Sequence, residues 1–359
     1  MQKLITHTQR VLKRIDRGLS GPIVEFSEQF LYGHREILMN HAGFSDESMI
    51  KGSIEHGWAL QSGKGIRRFP TGRYLYLSWG EERVRRSKMT DPMTIAIGAP
   101  FLYAHEAVKE SLDQFEAETR NRSRSTLFFP VHGNEFMQQN AESQVQLFTE
   151  HYSPANSTVC LYWVEYVNPQ IYNYYKSLNF NIVCSGFSGQ MEHTGLGYSA
   201  RRLAGSPIGG RPNFILNTIA MFANYENIVF GGIGTGLFYA SYMRKNITLL
   251  HKYLNTSYLD MDHELGNSYD KNVDEMYHVN YIAQYLQCPF SEIAYNSEKF
   301  RELTNQELGV SSLRSPTELK ELLEPHITNL ANPQSMNVYK NSIRGFASIL
   351  NSYERSREG

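Results

Sequence analysis

Residues 227–244 read Asn227-Ile-Val-Phe-Gly-Gly-Ile-Gly-Thr-Gly-Leu-Phe-Tyr-Ala-Ser-Tyr-Met-Arg244. The first four residues have the composition of a buried strand, and the residues after the glycines have the pattern of a helix. Glycines at such a junction let backbone N–H groups approach an anion, and a helix N-terminus adds partial positive charge. The stretch therefore predicts a phosphate site formed by Gly232, Gly234, Thr235 and Gly236. The alternative is a turn that only packs helix against strand, because the segment is neither a Walker A loop nor a clean GxGxxG pattern.

Strand and helix signals alternate along the rest of the chain. Strands are predicted at Pro22–Phe26, Met93–Ile97, Thr126–Pro130, Val159–Val164, Asn181–Cys184, Asn227–Phe230 and Ile247–Leu250. Helices are predicted at His105–Thr119, Ala141–His151, Pro169–Leu178, Asn213–Tyr225 and Gly236–Arg244. Buried strands that alternate with helices are typical of βαβ units, so the predicted class is α/β with parallel sheets.

The length of 359 residues suits two domains, since a domain has about 150 residues. A turn-rich stretch at Tyr152–Ser157 interrupts the pattern and places the boundary. We predict two facing Rossmann-like domains, residues 1–152 and 153–331. Residues 332–359 would form a C-terminal helix that closes back on the first domain, and the cleft between the domains would hold the ligand.

Composition limits the classes of partner. Thirty-five Lys and Arg against 36 Asp and Glu give a net charge of −1, which disfavours nucleic acid as a partner. Aromatic residues make up 13% of the chain, as suits either a sugar ligand or a wet domain interface. Three cysteines argue against a disulfide framework and for a cytoplasmic protein. The basic N-terminal segment is either a peripheral contact with anionic lipid of the inner membrane or an ordinary surface helix.

Two histidines are candidates for acid/base chemistry because each lies next to a glycine turn. His56 follows Glu55 and precedes Gly57-Trp58, and a histidine beside a carboxylate suits proton transfer near neutral pH. His132 follows an apolar run and begins His132-Gly-Asn-Glu135. The catalytic candidates are therefore His56, Glu55 and His132; a structural hydrogen-bonded pair is the alternative for Glu55 and His56.

Sugar contacts are predicted at Trp79, Arg83 and Glu135. An indole can stack on a sugar, and a guanidinium can balance a carboxylate or phosphate. The alternative for Arg83 is a solvated basic helix face shared with Arg85, Arg86 and Lys88. His, Asp and Glu do not occur at the spacing of a complete zinc site, so we predict neither a metal nor another cofactor.

An ordered series of motifs resembles bacterial capsule and lipopolysaccharide biosynthesis glycosyltransferases of GT-B type. The motifs are Glu55-His56-Gly57-Trp58, Trp79-Gly80-Glu81-Glu82-Arg83, Ile97-Gly98-Ala99-Pro100-Phe101-Leu102-Tyr103, Phe129-Pro130-Val131-His132, Cys160-Leu161-Tyr162-Trp163 and Gly232-Ile233-Gly234-Thr235-Gly236-Leu237-Phe238-Tyr239. The resemblance runs from about Ile50 to Leu250.

The resemblance implies a nucleotide sugar held mainly by the second domain and an acceptor held by the first. Some members of the group use CMP-activated acidic sugars such as Kdo or nonulosonates, which favours a CMP donor and a surface polysaccharide or its lipid-linked precursor as acceptor. The chain departs from the related sialyltransferases, because it lacks their acidic base motif and their His-Pro motif. The catalytic base and the stereochemistry of the reaction therefore stay open, and so does the oligomeric state. Two alternative functions also stay open: a sugar-nucleotide epimerase or hydrolase, and a non-catalytic sugar-nucleotide-binding subunit.

Overall fold

The computed structural model describes residues 32–45, 48–55, 57–58, 75–86, 94–119, 126–131, 137–166, 168–186, 214–250, 271–329 and 340–358. The strands in these ranges are β1 (Ser48–Ile50), β2 (Gly52–Ile54), β3 (Leu75–Ser78), β4 (Thr94–Ala96), β5 (Thr126–Phe129), β6 (Ser157–Cys160), β7 (Asn181–Val183), β8 (Asn227–Phe230), β9 (Asn246–Leu249) and β10 (Ile327–Asn329). The α-helices are α1 (His34–His41), α2 (Glu81–Arg86), α3 (Pro100–Ala107), α4 (Lys109–Thr119), α5 (Met137–Thr149), α6 (Trp163–Tyr166), α7 (Pro169–Ser177), α8 (Phe214–Asn224), α9 (Thr235–Tyr242), α10 (Lys271–Leu286), α11 (Glu298–Leu308), α12 (Pro316–Leu323) and α13 (Phe346–Glu358).

The larger sheet has five parallel strands in the order β7-β6-β5-β8-β9. The chain builds outward from β5 to β7, then returns to place β8 on the other side of β5. This is the doubly wound order, and its direction reverses between β5 and β8. The two strands are paired in register from Thr126 with Asn227 to Phe129 with Phe230. Parallel strands are covered on both faces, which is why β8 reads as a continuous apolar run.

Alternate residues of this sheet serve two different cores. Phe128 and Val229 pack with Phe148 of α5 and Tyr175 of α7 on one face. On the opposite face, the side chains of Leu127 and Ile228 belong to a second, larger cluster. Because successive strand residues point to opposite faces, the sheet has helices on both sides.

The smaller sheet has three parallel strands in the order β2-β3-β4, and β1 pairs with β10 in a separate antiparallel ladder. Residues Ile54 and Leu77 of the smaller sheet belong to the same buried cluster as Leu127 and Phe230 of the larger sheet. In the described part of the chain, the two parallel sheets therefore share one continuous core. The predicted α/β class with parallel sheets is confirmed.

The predicted domain boundary needs correction. Dividing the chain into residues 1–152 and 153–331 would cut through the five-stranded sheet, because β5 is its central strand. The sheets divide instead between Thr119 and Thr126. Local turn chemistry at Tyr152–Ser157 was misleading, because that turn only connects α5 to β6 within one sheet.

Most predicted strands are confirmed. β8 has the predicted bounds, and Met93–Ile97, Thr126–Pro130, Asn181–Cys184 and Ile247–Leu250 correspond to β4, β5, β7 and β9. The predicted strand Val159–Val164 is wrong at its C-terminal end, because β6 ends at Cys160 and α6 begins at Trp163. The carboxylate of Glu165 accepts from the backbone N–H of Tyr162 at 3.2 Å, which closes that turn. Pro22–Phe26 lies outside the described residues.

Of the predicted helices, one is wrong and the others are confirmed with shifted ends. His105–Thr119 is in fact two helices, α3 and α4, separated at Val108. Pro100 starts α3 because a proline at the first helical position loses no hydrogen bond there. The remaining four correspond to α5, α7, α8 and α9.

The C-terminal helix α13 packs against α8 and α4. The side-chain amide of Asn224 donates to the carbonyl of Leu350 at 3.0 Å, and the hydroxyl of Tyr353 donates to the carbonyl of Cys184 at 3.4 Å. In the sequence, α4 precedes the strands of the larger sheet, whereas α8 connects two of them, β7 and β8. The predicted closing helix therefore contacts both parts of the protein.

Cys160 and Cys184 are buried free thiols. Burial raises the pKa of Cys184 to about 12, and it also raises the pKa of Cys160 well above its ordinary value. Both residues therefore remain protonated near neutral pH, as small residues of the core. Among the helices described, none has the length and apolar character needed to cross a bilayer.

Candidate functional site

The point where the five-stranded sheet reverses direction lies between the ends of β5 and β8. The backbone N–H of Gly231, directly after β8, donates to the carbonyl of Phe129 at 2.7 Å. A Cβ on Gly231 would overlap the side-chain oxygen of Gln144 and lie 2.9 Å from the backbone nitrogen of Val131. Gly231 is therefore required by the close approach of the two strand ends. In open α/β sheets this crevice is where ligands bind.

The turn that follows leads into α9. Gly234 is the N-cap residue, and no side chain caps the helix there. A Cβ on Gly234 would meet no atom of the described residues within 4 Å, so the described part of the chain leaves this side of the turn open. The unpaired N–H groups and the helix dipole give the start of a helix partial positive charge.

Gly236 has a different environment from Gly234. A Cβ there would lie 3.2 Å from the ring of Phe230 and 3.9 Å from that of Phe222. The glycine thus lets α9 pack closely on β8. Of the four predicted phosphate-binding residues, Gly232, Gly234 and Thr235 lie on the turn or helix start, and Gly236 has a packing role.

Thr235 connects this turn to the smaller sheet. Its hydroxyl oxygen accepts a hydrogen bond from the backbone N–H of Trp58 at 2.8 Å. A hydroxyl that accepts in this way still has its own proton to donate. Gly57 lies equally close, because a Cβ there would be 3.2 Å from the same oxygen. The residues after β2 therefore meet the first residue of α9.

Glu55, the first residue after β2, has a saturated carboxylate. It accepts from the hydroxyl of Ser78 and from the backbone N–H of Trp79, each at 2.9 Å. The guanidinium of Arg83 donates to both of its oxygens, one of these bonds from Nε at 3.1 Å. The indole N–H of Trp79 donates to the backbone carbonyl of Glu55 at 2.9 Å. Four donors on one buried carboxylate indicate a structural role for Glu55.

Arg83, on the first turn of α2, joins two carboxylates. Besides Glu55 it contacts Glu307 of α11 at 3.3 Å, and its Nη2 donates to the carbonyl of Gly57 at 3.3 Å. Burial acts to lower the pKa of Arg83, but the neighbouring Glu55 and Glu307 carboxylates outweigh it and raise that pKa above the ordinary value. The guanidinium is therefore permanently charged.

Glu307 receives further donors on its two oxygens. The indole N–H of Trp58 donates to Oε2 at 2.6 Å, and the hydroxyl of Tyr281 donates to Oε1 at 2.7 Å. The ring of Trp58 lies 4.5 Å from those of Phe238 and His278. We call Glu55, Trp58, Arg83, Tyr281 and Glu307 the buried polar cluster.

The predicted sugar contacts lie inside the protein. Trp79 is 0% exposed and Arg83 is 1% exposed, and the guanidinium carbon lies 5.2 Å from the centre of the Trp79 ring. Neither side chain offers surface on which a sugar could lie, so the structure does not favour this role. Arg83 is also not part of a solvated face, although its neighbour Arg85 is exposed.

Three predicted site residues, His56, His132 and Glu135, lie outside the described residues. Both sequence neighbours of His56, and the residue before His132, are described. His56 falls between Glu55 and Gly57, both held by Arg83. His132 follows Val131, whose backbone N–H donates to Gln144 at 2.6 Å. The structure thus brings Glu55, Trp79 and Arg83 together, and it joins Thr235 to Trp58.

Gln144 and Glu307 are among the described polar residues at this site that the sequence did not predict, as are Ser78 and Tyr281. Glu307 shares a helix face with Phe300, Leu303, Thr304 and Leu308, all buried. A carboxylate seven residues after Phe300, on the same mostly apolar helix face, is the signal that could have identified it. Gln144 had no comparable signal, since α5 is rich in glutamine.

Comparisons of the chain with models of known families, with curated proteins and with solved structures gave no match. Within the described ranges, no group of three or more His, Cys, Asp or Glu side chains is arranged to hold a metal ion. The prediction that no metal or cofactor takes part stays a prediction.

Proposed function

We propose that the protein is a glycosyltransferase that uses a nucleotide sugar, and that the donor phosphate binds at the start of α9. The hydrogen bond from Trp58 to Thr235 carries this proposal. It joins the carboxyl-end residues of a strand in each parallel sheet, and ligands of such sheets bind beyond those ends. A transferase needs a donor and an acceptor at one place, and the meeting of these two strand ends supports such a site.

The turn supplies groups suited to a departing phosphate. Gly234 leaves the space beside the helix start open. Thr235, oriented by Trp58, retains a hydroxyl proton to donate. Donors aimed at the oxygen that gains charge as the anomeric carbon–oxygen bond breaks stabilise the transition state.

Proton transfer from the acceptor hydroxyl is assigned to His56 or His132, in preference to Glu55. The carboxylate of Glu55 is occupied by four donors and is 3% exposed. Each histidine directly follows a residue whose position is fixed by buried side chains, Glu55 and Val131 respectively. A general base has to be held within hydrogen-bond reach of its proton.

The finer features of the proposal rest on the sequence resemblance. They are a GT-B arrangement, a CMP-activated acidic sugar, and a surface polysaccharide or its lipid-linked precursor as acceptor. A cytoplasmic location with peripheral inner-membrane contact through the basic first 20 residues completes the proposal.

A nucleotide panel tests the donor. We expect CMP, among CMP, UDP, GDP and CDP, to raise the melting temperature, and the matching nucleotide sugars to turn over when acceptor is present. Donor consumption without acceptor would indicate a hydrolase or epimerase instead. Stabilisation by none of the four nucleotides, together with no turnover of any donor, would overturn the proposal.

Substitution of Gly234 tests the location of the phosphate. The residue has φ −160°, an extended conformation open to any amino acid, and its Cβ position is empty. Gly234→Val should therefore fold with an unchanged melting temperature but bind the nucleotide about 10- to 100-fold more weakly, as expected when a charge-assisted hydrogen bond is blocked. Gly234→Ala is the graded control, with a smaller loss. Wild-type affinity in Gly234→Val, measured by calorimetry, would place the phosphate elsewhere.

A further inference from the structure

The segment Glu55–Trp58 is held from several directions. Its first residue is bound through side chain and backbone to Ser78, Trp79 and Arg83. The carbonyl of Gly57 accepts from Arg83, and the backbone N–H of Trp58 donates to Thr235. A further anchor is the bond from the Trp58 indole to Glu307, which lies 249 residues further along the chain.

Glu307 is not required to balance the charge of Arg83. Glu55 already pairs with that guanidinium through two hydrogen bonds, so the buried polar cluster contains two carboxylates for one cation. A second buried carboxylate is costly to desolvate. What Glu307 adds is an acceptor, 0% exposed, on which the indole of Trp58 and the hydroxyl of Tyr281 converge.

Trp58 connects Glu307 to the start of α9. Trp58 uses its indole N–H on Glu307 and its backbone N–H on Thr235. The orientation that Glu307 imposes on the indole therefore also sets where the backbone of Trp58 meets Thr235. Its second neighbour in the chain, His56, lies on the same short segment.

We propose that Glu307 is a positioning residue for the transfer site. It holds Trp58 against the first turn of α9 through the indole, so that the backbone of Trp58 and the donor-phosphate group Thr235 keep a fixed separation. This role rests on the proposed function, but its structural part does not depend on any activity. Reacting groups displaced by about 1 Å can lose about 100-fold in rate, so a fixed separation matters.

The variant Glu307→Gln tests the role while keeping the shape of the side chain. Arg83 stays paired with Glu55 in this variant, so the chain should fold. The matched control is Thr304→Val on the same helix. Thr304 is also 0% exposed, and its hydroxyl donates at 2.9 Å to the hydroxyl of Ser241 on α9.

The first measurement is independent of function. The sequence has three tryptophans, so labelling tryptophan with ¹⁵N gives three indole and three backbone signals, assignable by phenylalanine substitutions. In Glu307→Gln we expect the Trp58 indole proton to move upfield and its backbone amide to exchange about tenfold faster, as local opening becomes easier. The Trp79 signals, and all signals in Thr304→Val, should stay as in the wild type. Unchanged Trp58 signals in Glu307→Gln would overturn the proposal.

The second measurement is turnover. We expect Glu307→Gln, and Trp58→Phe as a second route to the same lost bond, to lower kcat about 10- to 100-fold with little change in donor KM. Equal losses of kcat in Thr304→Val would show a general structural effect and overturn the positioning role. If the wild type turns over no donor and binds no nucleotide, the proposed function fails, and the Trp58 signals still decide whether Glu307 holds this segment.

Discussion

Replacing Arg83 by methionine is expected to destabilise the protein by about 3–5 kcal/mol, the usual cost of removing one partner from a buried ion pair. The substitution leaves the carboxylates of Glu55 and Glu307 buried without their shared cation. Both are at most 3% exposed, so water cannot replace the guanidinium. Urea unfolding followed by circular dichroism measures the change in the free energy of unfolding.

Arg85→Met is the matched control, on the same short helix two residues away. Arg85 is 74% exposed and pairs with Glu82 at 3.3 Å, so its loss should cost less than about 0.5 kcal/mol. If Arg83→Met instead unfolds at the wild-type urea concentration and raises the KM for a sugar substrate, Arg83 contacts sugar as the sequence predicted.

Replacing Gly309 by alanine is expected to cost about 2–5 kcal/mol, from backbone strain and overpacking together. Gly309 ends α11 in the left-handed conformation, with φ +67°. A Cβ there would overlap the carbonyl oxygen of Trp79 and lie 3.0 Å from the Cα of Gly80. Because these neighbours are backbone atoms after β3, α11 would have to shift and carry Glu307 with it. Thermal unfolding and urea unfolding both measure this loss.

Gly43→Ala separates strain from crowding. Gly43 has nearly the same backbone conformation, with φ +73°, but a Cβ there would meet no atom within 4 Å. Alanine at this position should cost about 1 kcal/mol, the strain of the left-handed conformation alone. Equal losses at the two glycines would contradict the contact between Gly309 and Trp79.

Elements of the larger sheet could be predicted because their signals are local. β8 is a continuous apolar run ended by glycines, and α9 follows it directly. In the smaller sheet β4 was predicted, but β2 was not, since its three residues are too few to show alternation. The place of β5 in the larger sheet could not be predicted, because pairing with β6 and β8 joins residues far apart in sequence.

The candidate site could be predicted only in part, because only some of its features depend on residues close together in sequence. The glycine-rich stretch around Gly234 is enough to predict the open turn there. The burial of Trp79 and Arg83 could not be predicted, because the same residue types would be found whether they bind a sugar or a buried carboxylate. Glu307, a partner of Arg83, comes from a helix more than 200 residues away in the chain.

The stretch Asn227–Arg244 by itself determined a strand, a glycine turn and a helix, since hydrophobic periodicity and glycine conformation act between near neighbours. Only the tertiary structure decided what lies beside that turn. It placed β5 next to β8, put Gln144 against Gly231, and brought Trp58 to Thr235. Burial then required each polar group to find a partner, and partners such as Glu307 and Trp58 are neighbours only once the two sheets share one core.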